Sequence, residues 1–228
     1  MKRVNLLAAG ILMLGTTFAG GALAAQVTLS GNNVDFTFDE SLLGLFGKPI
    51  LSGNTLMFTP VGFDAQAFNG PRIDLTNQTM NIRVSARPGF EIAQVSLLER
   101  GDYFLEGSAS SVSVAGQLRL FDLNNHLTSF TDSIVSSAPL TMVGLPTHNW
   151  TASAGLTFDT SQLELTRVNV AVQNLLIARA FSVDSLAFIE KKEVFLTVTP
   201  VPEAETWAMM LAGLGLVGWM TVRRRHRV

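Results

Sequence analysis

Residues 33–39 read NVDFTFD. Val34, Phe36 and Phe38 alternate with Asn33, Asp35, Thr37 and Asp39, and an extended strand is the conformation that sends alternate side chains to opposite faces. One face of this segment is apolar and the other is wet. Such patterning belongs to antiparallel sheets with one side packed and one side in water, because strands of parallel sheets are apolar on both faces.

The same period of two recurs along the chain. Ile82, Val84 and Ala86 alternate with Asn81, Arg83 and Ser85; Val112, Val114, Leu118 and Leu120 are separated by Ser113, Gln117 and Arg119. Ala152, Ala154, Leu156 and Phe158 are spaced by Ser153, Gly155 and Thr157, Val168, Val170 and Val172 by Asn169, Ala171 and Gln173, and a last strand holds Val194, Leu196 and Val198. Turn residues fall between these runs at Gly31-Asn32, Gly53-Asn54, Asn69-Gly70-Pro71, Pro88-Gly89, Gly101-Asp102 and Asn124-Asn125. Many short strands at this spacing predict an all-β fold, an antiparallel β-sandwich of jelly-roll-like arrangement ahead of a closed barrel. Leu29-Ser30-Gly31-Asn32 and Leu51-Ser52-Gly53-Asn54 repeat one turn, each followed by a Phe-Thr pair, which suggests two similar hairpins side by side.

The two ends are of another kind. Lys2 and Arg3, an apolar stretch to Phe18 and the small residues Ala22 and Ala24 are the parts of a secretory signal peptide over 1–24. Cleavage is expected after Ala24, with the bond after Ala25 as the neighbouring alternative. From Thr206 to Val222 seventeen residues carry no charge, and as a helix at about 1.5 Å per residue they would reach roughly 25 Å. That is short but sufficient for a bilayer when Arg223, Arg224, Arg225 and Arg227 snorkel, and this cluster would hold residues 223–228 in the cytoplasm as a stop-transfer signal. The expected organisation is a domain over 25–199, a stiff linker over 200–205 with Pro200 and Pro202, and a transmembrane helix over 206–222.

Pro202-Glu203, the run from Trp207 to Gly218 and then Arg223-Arg224-Arg225 together resemble the PEP-CTERM sorting signal of Gram-negative bacteria. The third position of the Pro-Glu-Pro pattern is Ala204 here. The resemblance implies that exosortase, a membrane-embedded cysteine transpeptidase-like enzyme, processes the chain after an inner-membrane stage with the domain in the periplasm. It also implies delivery to the cell surface or to an extracellular matrix, in species that make exopolysaccharide.

Without residues 1–24 and 203–228 the chain keeps 178 residues, enough for one domain with a substantial core. Ten basic residues stand there against sixteen acidic ones, a net charge of −6, which argues against nucleic acid and anionic membrane surfaces as partners. There is no cysteine, so disulfides and thiol chemistry are excluded.

No catalytic signature is legible in the domain. His126 and His148 sit in no metal-ligand spacing, and neither a Gly-x-Ser-x-Gly elbow nor a phosphate-cradling glycine loop is present. Glu99, Asp102 and Glu106 cluster in LLERGDYFLEG and read as solvated residues around a hairpin. Asp122, Asn124 and Asn125 could offer oxygens to calcium but lack the spaced acids of a dedicated loop. Trp150, beside His148 and Asn149, is the best sugar-contact candidate, against a place in the core at a strand end. The apolar run Leu42–Gly47 reads as a turn tucked over one end of the sandwich. The sequence thus points to a non-enzymatic secreted protein, structural or adhesive in an exopolysaccharide or biofilm setting, with a lectin-like module as the alternative.

Overall fold

A computed structural model describes residues 26–203, 209–217 and 219. The first part of the chain forms β1 (Gln26–Ser30), β2 (Val34–Asp39), β3 (Ile50–Ser52), β4 (Thr55–Phe58), β5 (Asp64–Phe68) and β6 (Arg72–Ala86). It continues through β7 (Phe90–Glu106), β8 (Ser110–Asp122), β9 (Ser129–Ser133), β10 (Val135–Ser136), β11 (His148–Thr157), β12 (Arg167–Ala180) and β13 (Leu186–Pro202). One sheet has the order β1-β2-β6-β12-β8-β9; the other runs β10-β11-β7-β13-β4-β3, with β5 also paired to β13. Every pairing is antiparallel.

The alternation read from the sequence decides which side chains meet between the sheets. Val34, Phe36, Ile82, Val84, Leu118 and Val170 come from the first sheet, and Val95, Leu97, Trp150, Ile189 and Leu196 from the second; all belong to one buried cluster. Fully burying an aliphatic or aromatic side chain contributes about 1.5–3 kcal/mol, so a core of this size can hold a domain that has no disulfide.

The two LSGN turns are the tips of the β1–β2 and β3–β4 hairpins, which lie at the same edge of opposite sheets. They touch. The Asn33 amide donates to Asn54 Oδ1 at 3.1 Å, and a Cβ on Gly31 would stand 2.6 Å from the Gly53 carbonyl oxygen. Glycine at 31 is what lets the hairpins close that edge.

Several expectations are corrected. The central strands are long: β7 and β13 each hold 17 residues and β6 holds 15. Gly101-Asp102 is not a turn but the middle of β7, where Gly101 pairs with Trp150 on one side and Lys191 on the other. A Cβ on Gly101 would meet the Glu190 carbonyl at 1.9 Å and the Trp150 ring at 2.7 Å; the glycine serves close packing, not chain reversal. The expected linker begins too early, because Pro200, Val201 and Pro202 continue β13 against Ile92, Glu91 and Phe90. The run at 42–47 divides: Phe46 is buried against Phe58 and Phe63, with ring centroids 6.1 and 5.5 Å away, and Leu43 is buried too, while Leu42 is exposed.

Residues 1–25, with Ala22, Ala24 and Ala25 of the expected cleavage site, lie outside the described residues, as do Arg223, Arg224, Arg225 and Arg227. Residues 209–217 are helical and exposed at every position. Among the described residues no helix is long and apolar enough to cross a membrane; the remainder of the expected span over 206–222 falls largely outside them.

Candidate functional site

The end of β13 carries the Pro-Glu pair, and its geometry follows from what proline lacks. Pro200 and Pro202 have no N–H to give a sheet. They lie past Thr197, the last β13 residue paired with β4, so β13 there has β7 on one side and no described strand on the other. A register shift between Thr199 and Pro200 opens this stretch. Glu203 closes it, its amide donating to the Gly89 carbonyl at 3.0 Å. Beneath Glu203 is a cleft of 350 Å³ whose lining includes Glu91, Thr160, Ser161 and Glu164. The Glu91 carboxyl is pushed above its ordinary pKa by burial first, then by the neighbouring charges of Glu164 and Glu203.

Residues 200–225 match the family model described as the PEP-CTERM protein-sorting motif. The chain carries a PEP-CTERM sorting motif at its C-terminus. No curated protein shows significant similarity to the chain. The motif implies export to the cell envelope or surface and processing by exosortase. Its first residues are therefore also the last residues of the sandwich: Pro202 is in the ladder and Glu203 is hydrogen-bonded to the β6–β7 turn, while 209–217 of the same motif are solvent-exposed.

Of the other candidates from the sequence, Trp150 and His148 on β11 lie beside Gly101, Asp102 and Tyr103 of β7. Trp150 is 3% exposed, and its Nε1 donates to the carbonyls of Asp102 and Glu190 at 3.2 and 3.1 Å. Its ring faces the core, so it offers no stacking platform to a sugar in this structure. His148 has a ring nitrogen 3.1 Å from the Gly144 carbonyl and its ring 5.5 Å from that of Tyr103. His126 is exposed in the turn between β8 and β9. Asp122 accepts from the Asn124 amide at 2.8 Å, and Asn124 reaches Thr166 and Arg167. The FDLNN oxygens thus brace a turn, and among the described residues no three acidic or histidine side chains converge as metal ligands.

The expectation that Glu99, Asp102 and Glu106 are solvated around a hairpin is wrong for two of them. Glu106 is exposed, but Glu99 is fully buried and Asp102 nearly so. Glu99 faces inward from β7 in the series Val95, Leu97, Glu99. Its Oε2 takes a hydrogen bond from Lys191 Nζ at 2.5 Å, and its Oε1 takes one from Asn174 Nδ2 at 2.5 Å. Lys191 Nζ also donates to Asn174 Oδ1. Glu99 and Lys191 belong to one sheet and Asn174 to the other, so the triad bridges the sandwich through its centre. Lys191 and Asn174 are 2% and 0% exposed, and the Nζ lies 5.0 and 5.8 Å from the ring centroids of Phe63 and Trp150.

A bulge in β13 between Lys191 and Glu193 builds this arrangement. Ahead of it the inward residues are Ala187, Ile189 and Lys191; after it they are Val194, Leu196 and Val198. The extra residue, Lys192, is turned outward to Asp102 and Glu190 at 2.5 and 2.9 Å, which hold it protonated beyond its usual range. Burial pushes the Lys191 pKa the other way, down, with Glu99 opposing.

Sequence reasoning missed the triad. The signal was the parity of the strands: Asn174 follows Val168, Val170 and Val172 on the inward side, as Glu99 follows Val95 and Leu97.

Proposed function

We propose that this chain is a non-enzymatic secreted β-sandwich protein, jelly-roll-like in the way β6, β7 and β8, and again β11, β12 and β13, alternate between the sheets. It serves as a structural or adhesive component of the cell surface or exopolysaccharide matrix. The observation that carries this reading is the sorting motif itself, joined without a spacer to a densely packed domain. Residues 1–24 direct export, and 206–222 hold the chain in the inner membrane, domain in the periplasm, until exosortase acts at the Pro202-Glu203 region.

The test is fractionation of the full chain in the native host with and without its exosortase, with the mature mass read alongside. A smaller or modified chain at the surface, accumulating unprocessed in the inner membrane when exosortase is absent, is expected. Identical size and location in both hosts would overturn the delivery route.

A second reading, carbohydrate binding, draws on one feature. A 720 Å³ groove between β9 of the first sheet and the strands of the second has a lining that includes Asp132, Ser133, Ser153, Thr55, Thr197 and Phe195. Hydroxyls and a carboxylate around an aromatic ring are the groups that meet sugar hydroxyls and sugar faces. Retention of the purified protein on the host's exopolysaccharide, lost on Asp132→Ala, would favour this reading over a purely structural role.

A further inference from the structure

We propose that the domain cross-links itself: Lys191 Nζ attacks Cγ of Asn174, with Glu99 carrying the protons, to form an amide bond between β12 and β13 and release ammonia. The proposal rests on the buried triad alone and is independent of the sorting motif.

The reaction needs an amine, a carbonyl carbon bearing a nitrogen leaving group, and an acid-base group in contact with both nitrogens. All three are here, each hydrogen-bonded to the other two. Glu99 places Oε2 at the attacking nitrogen and Oε1 at the departing one, each at 2.5 Å. Lys191 Nζ is already against the oxygen of the carbonyl it would attack. Fixing reactants in contact makes the step effectively unimolecular, which compensates for the low reactivity of an amide.

The surroundings favour the same outcome. An ammonium and a carboxylate removed from water are destabilising unless their mutual attraction is very good, and burial lowers the Lys191 pKa toward the neutral amine that is the nucleophile. Phe63 and Trp150 flank the amine and keep water from the product. An ion pair needs only two members. The third here is a carboxamide with its oxygen on the amine and its nitrogen on the acid, which sets the carbon to be attacked beside the nucleophile and the leaving nitrogen beside the proton carrier.

The step balances without oxidant or cofactor. Lys191 as ammonium passes one proton to Glu99, and the amine forms the Nζ–Cγ bond. A further proton leaves the new ammonium centre through Glu99 to Nδ2, and the Cγ–Nδ2 bond breaks to give ammonia. Glu99 retains the last proton and ends as a neutral carboxylic acid, so the buried site begins and finishes with no net charge. The event occurs once per chain.

Tandem mass spectrometry of a tryptic digest of the purified full chain decides the matter. The expected finding is peptide 168–179, which holds Asn174, joined to peptide 180–192, which holds Lys191 uncut, at a mass about 17 Da below the two chains together, the loss of one ammonia. Recovery of the chains separately, with trypsin cutting after Lys191, would overturn the proposal without recourse to any variant. So would the same loss confined to the single chain 168–179, the mark of a succinimide at Asn174. In Asn174→Asp the leaving group becomes water, and the joined peptide should appear with the mass of the wild-type product. Glu99→Gln should slow joining by about 100-fold or more; an unchanged rate in that variant would remove Glu99 from the chemistry.

Discussion

The carbonyl oxygen of Gly53 stands 2.6 Å from where a Cβ on Gly31 would be, and both atoms belong to turns that repeat the same four residues. The obstacle is backbone, which cannot swing aside. Gly31→Ala should therefore lower stability by about 1–3 kcal/mol, visible as an earlier denaturation midpoint with unchanged slope. Gly155→Ala, where a Cβ meets nothing within 4 Å, should be neutral or slightly stabilising. Equal effects of the two would refute the contact between hairpins.

Trp150 gives a second test. Trp150→Ala should destabilise by about 3–5 kcal/mol through the cavity it leaves. Trp150→Phe should lose less, about 1–3 kcal/mol, because it leaves the Asp102 and Glu190 carbonyls without their indole donor. A Trp150→Ala variant that melts like the wild type but no longer binds exopolysaccharide would restore the sugar-contact role.

Glu91 makes stability depend on pH in a defined direction. Its folded pKa is raised above the ordinary 4.5, so the folded chain holds the proton more tightly than the unfolded one. That contribution is complete below 4.5 and disappears as pH climbs through the raised value. Glu91→Gln should accordingly melt higher than wild type at neutral pH, with the difference vanishing as pH falls below the ordinary 4.5. A variant less stable than wild type at neutral pH would contradict the assignment.

The parts of the tail should fail separately. Replacing Pro202 and Glu203 leaves the apolar stretch intact, so the protein should reach the membrane and stay there unprocessed. Neutralising Arg223, Arg224, Arg225 and Arg227 removes the charge that fixes orientation, and protease accessibility of a C-terminal epitope from the periplasm should rise. Indistinguishable fractionation of the two variants would argue against separate roles.

The two-layer antiparallel fold was legible because Val34, Phe36 and Phe38, and the similar runs after them, have one partner surface each. The repeated LSGN turns even indicated the paired hairpins. Strand length was not legible. Gly101-Asp102 has the composition of a turn, and only the Trp150 ring and the Glu190 carbonyl pressing on Gly101 show why glycine is needed inside a strand. The triad stayed hidden for a related reason. Glu99 lies far from Asn174 and Lys191 in sequence, each is a polar residue of ordinary surface type, and the β13 bulge puts Lys191 out of phase with Val194, Leu196 and Val198, the run by which that strand is recognised. A polar residue on the apolar side of a strand is informative only when its partners are known, and those come from two other strands.

The pairing of β13 with β7 has a mechanical consequence. The sorting motif begins within β13 and is held to the domain through Glu203, so tension on the tail enters the sandwich through its longest described ladder, sixteen residue pairs from Pro202 back to Leu186. Pulled lengthwise, such a ladder is loaded in shear, and its hydrogen bonds must yield together rather than one after another. Beyond the bulge, Lys191 is tied through the core to the opposite sheet. A surface protein tethered at this point would resist drag with its whole interior and not only with its last strand.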